Sequence, residues 1–86
     1  MPEISRFYGI VVKMFYEDHE PPHFHVRYGD HEAVFSIRDL RRLAGWLPPR
    51  AQGLVVEWGL LNQDALMENW KRMRAREPLE KIPPLE

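Results

Sequence analysis

His23-Phe24-His25-Val26-Arg27-Tyr28-Gly29-Asp30-His31-Glu32-Ala33-Val34-Phe35-Ser36 reads as a single β-hairpin. Two alternating apolar runs flank Gly29-Asp30, a dipeptide suited to a two-residue turn because glycine adopts positive φ without steric cost. Such a turn places Tyr28 opposite His31, Arg27 opposite Glu32, Val26 opposite Ala33, His25 opposite Val34, Phe24 opposite Phe35 and His23 opposite Ser36. One face then carries Phe24, Val26, Ala33 and Phe35, which must be buried. The other carries His23, His25, Val34, Ser36 and an Arg27 to Glu32 pair worth roughly 0.2 to 1 kcal/mol. Lengthening the loop by two residues leaves this partition unchanged, because strand side chains alternate with period two. The two histidines therefore project together, away from the main core.

Working outward, prolines punctuate the chain at Pro21-Pro22, Pro48-Pro49 and Pro83-Pro84. Before the first pair, Ile4 to Tyr8 and Gly9 to Tyr16 are rich in β-branched and aromatic residues. Ile10, Val12 and Met14 fall on one face and Val11, Lys13 and Phe15 on the other, so strands are predicted. Leu40 to Leu47 reads as a basic connector. Pro48-Pro49 suits a helix opening, where the missing proline N–H is not needed. Leu54, Trp58, Leu61 and Ala65 share helical spacing, as do Leu66, Trp70 and Met73, but the two stripes are out of phase near Asn62. A single helix to Arg76 would be roughly 40 Å long, too long for a globule whose radius of gyration is about 12 Å. Two helices, or one sharply bent near Asn62 or Asp64, are predicted instead.

The expected architecture is α+β: an antiparallel sheet of three or four strands, followed by two helices or one bent helix packed on one face. The chain has 86 residues, 44% hydrophobic and 29% charged, which suits one compact unit, a single α+β domain over residues 1–77 with an extended and partly mobile C-terminal tail over 78–86. Twelve basic and thirteen acidic side chains nearly cancel, so the overall field attracts neither nucleic acid nor membrane. No apolar run approaches a membrane span, and the opening residues lack a signal-peptide pattern. A cytoplasmic location is expected, with no membrane partner. A domain this small is expected to be a monomer or a homodimer. The absence of cysteine excludes a disulfide scaffold, a thiol nucleophile and a thiolate zinc site. No glycine-rich phosphate loop or serine nucleophile signature is present.

The chemistry concentrates in Asp18-His19-Glu20-Pro21-Pro22-His23-Phe24-His25. On a strand, His23 and His25 stand about 6 to 7 Å apart at Cβ, close enough for two imidazoles to converge on one atom. His19 and Asp18, presented by the proline-stiffened loop, extend the set. His19, His23, His25 and Asp18 are thus candidate ligands of a divalent transition metal. The same residues permit metal-free catalysis, with His23 and His25 as acid and base in cleavage of an RNA phosphodiester and Arg27 or Lys13 stabilising charge. A purely structural reading competes with both: the rings satisfy backbone carbonyls or pack on Phe15 and Tyr16. His31, at the turn, is expected to be solvated.

Charge is unevenly placed. Residues 1–35 hold three basic and six acidic groups, whereas 36–50 hold Arg38, Arg41, Arg42 and Arg50 against Asp39 alone. Arg38, Arg41, Arg42 and Trp46 form a candidate surface for phosphate and base contacts, with a solvated connector as the simpler alternative. Lys71, Arg72, Arg74 and Arg76 have a structural reason of their own, since cations at a helix C-terminus are favoured by its dipole.

Met1 to Ile10, the Asp18 to Val26 segment with its Pro-His-Phe-His core, Gly45-Trp46-Leu47-Pro48, Glu57-Trp58 and Asn69-Trp70 occur in order. This string resembles the small bacterial family called domain of unknown function 4160, over nearly the whole chain. The resemblance implies a co-encoded partner, the helix-turn-helix-like domain of unknown function 2442, in a toxin-antitoxin-like or regulatory gene pair. Three functional expectations result. The first, which asks least of the residues, is a non-enzymatic module binding a protein or RNA. The second is a ribonuclease-like toxin, and the third a histidine-cluster metal-binding module.

Overall fold

The computed structural model describes residues 2–86. Five strands, β1 (Glu3–Phe7), β2 (Ile10–Lys13), β3 (His23–Tyr28), β4 (His31–Ser36) and β5 (Arg42–Gly45), precede two helices, α1 (Pro49–Leu61) and α2 (Gln63–Arg74). Every strand pairs antiparallel with its sequence neighbour, giving the sheet order β1-β2-β3-β4-β5. The α+β arrangement is the expected one, with five strands in place of three or four. The additional strand, β5, comes from the segment read as a connector. It is a short edge strand exposed at every position, so no buried face imposes an alternating pattern that could announce it.

Hairpin geometry fixes the register of the central sheet. Tyr8 and Gly9 both have positive φ, 49° and 80°, the mirror-image turn whose twist matches that of paired strands. The six pairs from Tyr28↔His31 to His23↔Ser36 are those read from the sequence. Ile10, Val12, Phe24, Val26, Ala33 and Phe35 are consequently all buried. Against this face the helices lay Val55, Trp58, Leu66, Trp70 and Met73. Phe24 stacks on Phe35 with ring centroids 5.9 Å apart and meets the Trp58 ring edge to face at the same separation.

The helix break falls at Asn62, between α1 and α2. A continuous helix from Pro49 to Arg74 would be about 39 Å long, exceeding the 34 Å long axis of the molecule. Asn62 donates its side-chain amide to the Trp58 carbonyl at 2.8 Å, satisfying an acceptor that the helix end leaves free. The buried stripe of α1 differs from the predicted one. Ala51, Val55, Trp58 and Gly59 are buried, whereas Leu61 is 72% exposed; Gly59, packed against Leu40, turns the buried side of the last turn away from Leu61.

Residues 78–86 carry no helix or strand, yet they are tied down along their length. Asn69 holds the Glu80 backbone at both its N–H and C=O, at 2.9 and 2.8 Å. Ile82 is buried and donates its N–H to the Ile4 carbonyl at 2.8 Å, and the Trp58 indole N–H reaches the Pro83 carbonyl at 2.9 Å. The tail therefore runs along the outer edge of β1 and covers the indole that the helices alone leave short of a partner.

Candidate metal centre

With the helices on one face, the opposite face of the sheet is open, and β3 directs His23 and His25 toward it. The loop between β2 and β3 turns back over the end of this face and brings Asp18 to the two rings. Its shape is fixed from several sides. Asp18 closes a turn on Phe15, donating its backbone N–H to the Phe15 carbonyl and accepting the Phe15 N–H on Oδ2, both at 3.2 Å. Glu20 Oε2 accepts the Trp70 indole N–H at 3.3 Å and the Arg74 guanidinium at 3.1 Å. The Pro22 carbonyl accepts the Ile37 N–H at 3.0 Å. The Glu20–Pro21 peptide is cis.

His25 Nε2 lies 3.2 Å from both oxygens of Asp18, and His23 Nε2 lies 3.5 Å from Oδ1. One ligand atom from each of the three residues falls within 4.8 Å of the others. The side chains of His23, Asp18 and His25 are 13%, 14% and 30% exposed, so the cluster is largely shielded but not sealed. Aromatic rings wedge it in place: Trp70 lies 5.2 Å from the His23 ring, and Phe15 meets the His25 ring edge on at 4.5 Å.

The hydrogen bonding of His23 determines what the cluster can hold. Its Nδ1 is 2.7 Å from the Pro21 carbonyl oxygen, and a carbonyl can only accept, so Nδ1 carries a proton. Nε2 is left facing a carboxylate. A bare lone pair opposite a carboxylate oxygen is repulsive; a proton or a metal cation between them is attractive. Backbone-bonded Nδ1–H with a free Nε2 is also the usual arrangement of a metal-ligating histidine. Zinc-to-ligand bonds of 2.0 to 2.2 Å at tetrahedral angles put neighbouring ligand atoms about 3.3 to 3.6 Å apart; the 3.5 Å from His23 to Asp18 falls on that edge and the 3.2 Å from His25 just short of it.

Three of the four candidate ligands are thus brought together, and His19 is not among them; it is exposed on the loop. Arg38, Arg41 and Arg42 are exposed around the β4–β5 connection, whereas Trp46, also exposed, lies past the other end of β5, so the four are not brought together. Arg42 donates to Gln52 at 3.0 Å. The Arg41 backbone N–H donates to Asp39, and this bond, with help from the Ser36 hydroxyl, holds the Asp39 carboxyl below its ordinary range. Trp46 meets the exposed His31 ring edge to face at 5.1 Å. No hydrogen bond or ion pair found among the described residues joins this loop to the triad. Glu20 and the Pro21 carbonyl were not recognisable as supports of the site from sequence. The partners of Glu20, Trp70 and Arg74, lie fifty or more residues away, and the Pro21 carbonyl that meets His23 has no sequence signature.

A family model described as a domain of unknown function, DUF4160, matches residues 9–71. The chain belongs to that family. The DUF4160 match spans the whole triad, strands β2 to β5, α1 and most of α2, and leaves out β1 and the tail. No curated protein and no solved structure matches the chain.

Proposed function

We propose that this protein is a metal-binding module in which Asp18, His23 and His25 hold one divalent transition metal ion. The reading is carried by one observation: both Nε2 atoms converge on a single carboxylate, at 3.5 and 3.2 Å. Two imidazoles and a carboxylate suit zinc, nickel, cobalt or non-haem iron, and three protein ligands leave at least one coordination position for an outside molecule. The acid–base alternative, a ribonuclease-like toxin using His23 and His25, needs two ring nitrogens free to flank a phosphodiester. Here each Nε2 is directed at Asp18 instead, which favours a cation between them. The test is elemental analysis and calorimetric titration of untagged protein with Zn²⁺ and Co²⁺. One equivalent is expected, with loss of binding in His23→Ala and His25→Ala. A content well below one equivalent, with melting unchanged by a chelator, removes the proposal.

A second reading is supported by the loop between β4 and β5, which begins beside Pro22 at the His23 end of the sheet. Arg38 and Arg41 expose their side chains there, and none of the ion pairs found among the described residues includes them; Trp46, 50% exposed, lies apart from them at the far end of β5, next to His31. That surface suits a co-encoded protein or RNA, as in a toxin-antitoxin-like pair. Co-purification with the product of the neighbouring gene, and RNA retardation assays on an Arg38→Ala, Arg41→Ala, Arg42→Ala variant, test it. Retention of both partners by the variant excludes the surface.

A further inference from the structure

The open sheet face beside the triad is not flat. It forms a half-open groove of about 410 Å³ whose walls include Lys13, Phe15, His25, Arg27, Glu32 and Val34. The sheet register explains the arrangement: Lys13 sits directly across from His25, and Arg27 follows two residues along β3 on the same face. His25 thus belongs to the triad and to the groove wall at once. Among the described residues no salt bridge involves Lys13 or Arg27. The Arg27 Nε donates to the Gly29 carbonyl at 3.2 Å, which orients the guanidinium and leaves its terminal nitrogens for another acceptor. Glu32, opposite Arg27 in the ladder, opposes negative charge at the far end of the groove. An anion is therefore best accommodated at the Lys13 and His25 end.

We infer that the Lys13 and His25 end of this groove is a phosphate site, with a phosphoryl oxygen at the open position of the metal, the Lys13 ammonium on a second oxygen and the Arg27 guanidinium, at the Glu32 end, facing the rest of the ligand. The inference rests on the metal reading and extends it to the ligand. A metal dication partly neutralised by Asp18, together with Lys13 and Arg27 partly offset by Glu32, leaves a net positive groove. That charge suits a phosphomonoester, which carries about −1.5 to −2 at neutral pH. Lysine supplies a mobile point charge to the phosphate, and the planar, paired donors of Arg27 stay available to a second acceptor on the ligand. The Phe15 ring and Val34 line the same groove with apolar surface, which fits an organic substituent on the phosphate, of the size of a nucleoside.

The experiment is an amide NMR titration of the full chain, zinc-loaded and then chelated, with inorganic phosphate, with uridine 5′-monophosphate and with a short single-stranded RNA. Metal content is measured on every sample. Shifts are expected at Lys13, His25, Arg27 and Val34, with the nucleotide binding more tightly than phosphate alone. Lys13→Ala is expected to weaken nucleotide binding about tenfold, as for loss of one charge-assisted hydrogen bond, while metal content stays at one equivalent. Arg27→Ala should behave likewise. Tighter binding of RNA than of the nucleotide, with the same residues shifting, identifies a polymer phosphate as the ligand and supports the site. Full metal content with no phosphate or nucleotide response, or a response equal in wild type and Lys13→Ala, overturns the groove inference and leaves the metal reading standing. Absence of metal, with nucleotide binding that still depends on Lys13 and Arg27, overturns the metal contact and keeps the cationic one.

Discussion

At the Pro21 carbonyl, a 2.7 Å contact from His23 Nδ1 settles which of the two ring nitrogens can be a ligand. Asp18 is the third member and the only carboxylate, so its substitution tests the oxygen ligand apart from the ring geometry. Zinc at a hundredfold excess over its dissociation constant should stabilise the folded chain by about 2.7 kcal/mol. For a chain of this size each kcal/mol raises Tm by about 4 to 8 °C, so a shift of roughly 10 to 20 °C is expected in scanning calorimetry. Asp18→Asn should lose most of that shift while melting like wild type in the chelator. Glu20 acts one step further out. Its carboxylate is 58% exposed, so the ion pair to Arg74 contributes at most about 1 kcal/mol to folding. Glu20→Gln should leave metal-free melting nearly unchanged and lower zinc affinity about tenfold, the lower range for lost support behind a ligand. An unchanged affinity in calorimetric titration would show that the loop holds Asp18 without the tether to α2. The direction of His23 and His25 was legible in the sequence, since parity on a paired strand allows no other outcome. The choice of Asp18 over His19 was not, because a nine-residue loop ending in two prolines gives reach without direction.

The strands show how far pattern alone carries. For β3 and β4, alternation and a two-residue turn each determine the register and agree with one another, so all six pairs could be written in advance. The β2–β3 connection is long, and nothing local to it dictates that Lys13 should stand opposite His25; the groove was therefore invisible before the fold. For β5 the pattern is absent, and backbone geometry at its end takes over. Gly45 has φ of 78°, and a Cβ there would run into the Glu32 carbonyl and approach the Ala33 Cα to 2.7 Å. Gly45→Ala should cost about 2 kcal/mol or more through the left-handed backbone and the contact with backbone atoms that cannot yield. The 3.0 Å bond from the Trp46 N–H to the Glu32 carbonyl should weaken with it, seen as faster amide exchange at Trp46. Melting equal to wild type would mean that β5 can slide along β4 without loss.

A chain of 86 residues has a folding free energy of only about 4 to 13 kcal/mol, so a few contacts between distant segments decide whether it stays folded. Asn69 makes two of them. Its side chain is buried and grips both polar groups of the Glu80 backbone; Asn69→Ala leaves those groups without partners at about 1 to 3 kcal/mol. Chemical denaturation should show the lower stability, and amide exchange should accelerate at Ile82 before it does in β3. Uniform acceleration through the chain would indicate that the tail and the sheet open as one unit. The helical half was legible in outline from chain length against globule size, which required a break near Asn62. The tail was legible only as extended. Its attachments are backbone carbonyls and amides meeting Asn69, Trp58 and Ile4, and those meetings depend on the finished packing.

The bond from the Ile82 N–H to the Ile4 carbonyl also sets a timetable for synthesis. A ribosome releases β1 well before the segment that shields its edge. Until that segment follows, the nascent sheet carries an uncovered strand margin open to wrong pairings. Shelter by a chaperone would matter most in that interval, and the native seal can form only after residue 82 has emerged.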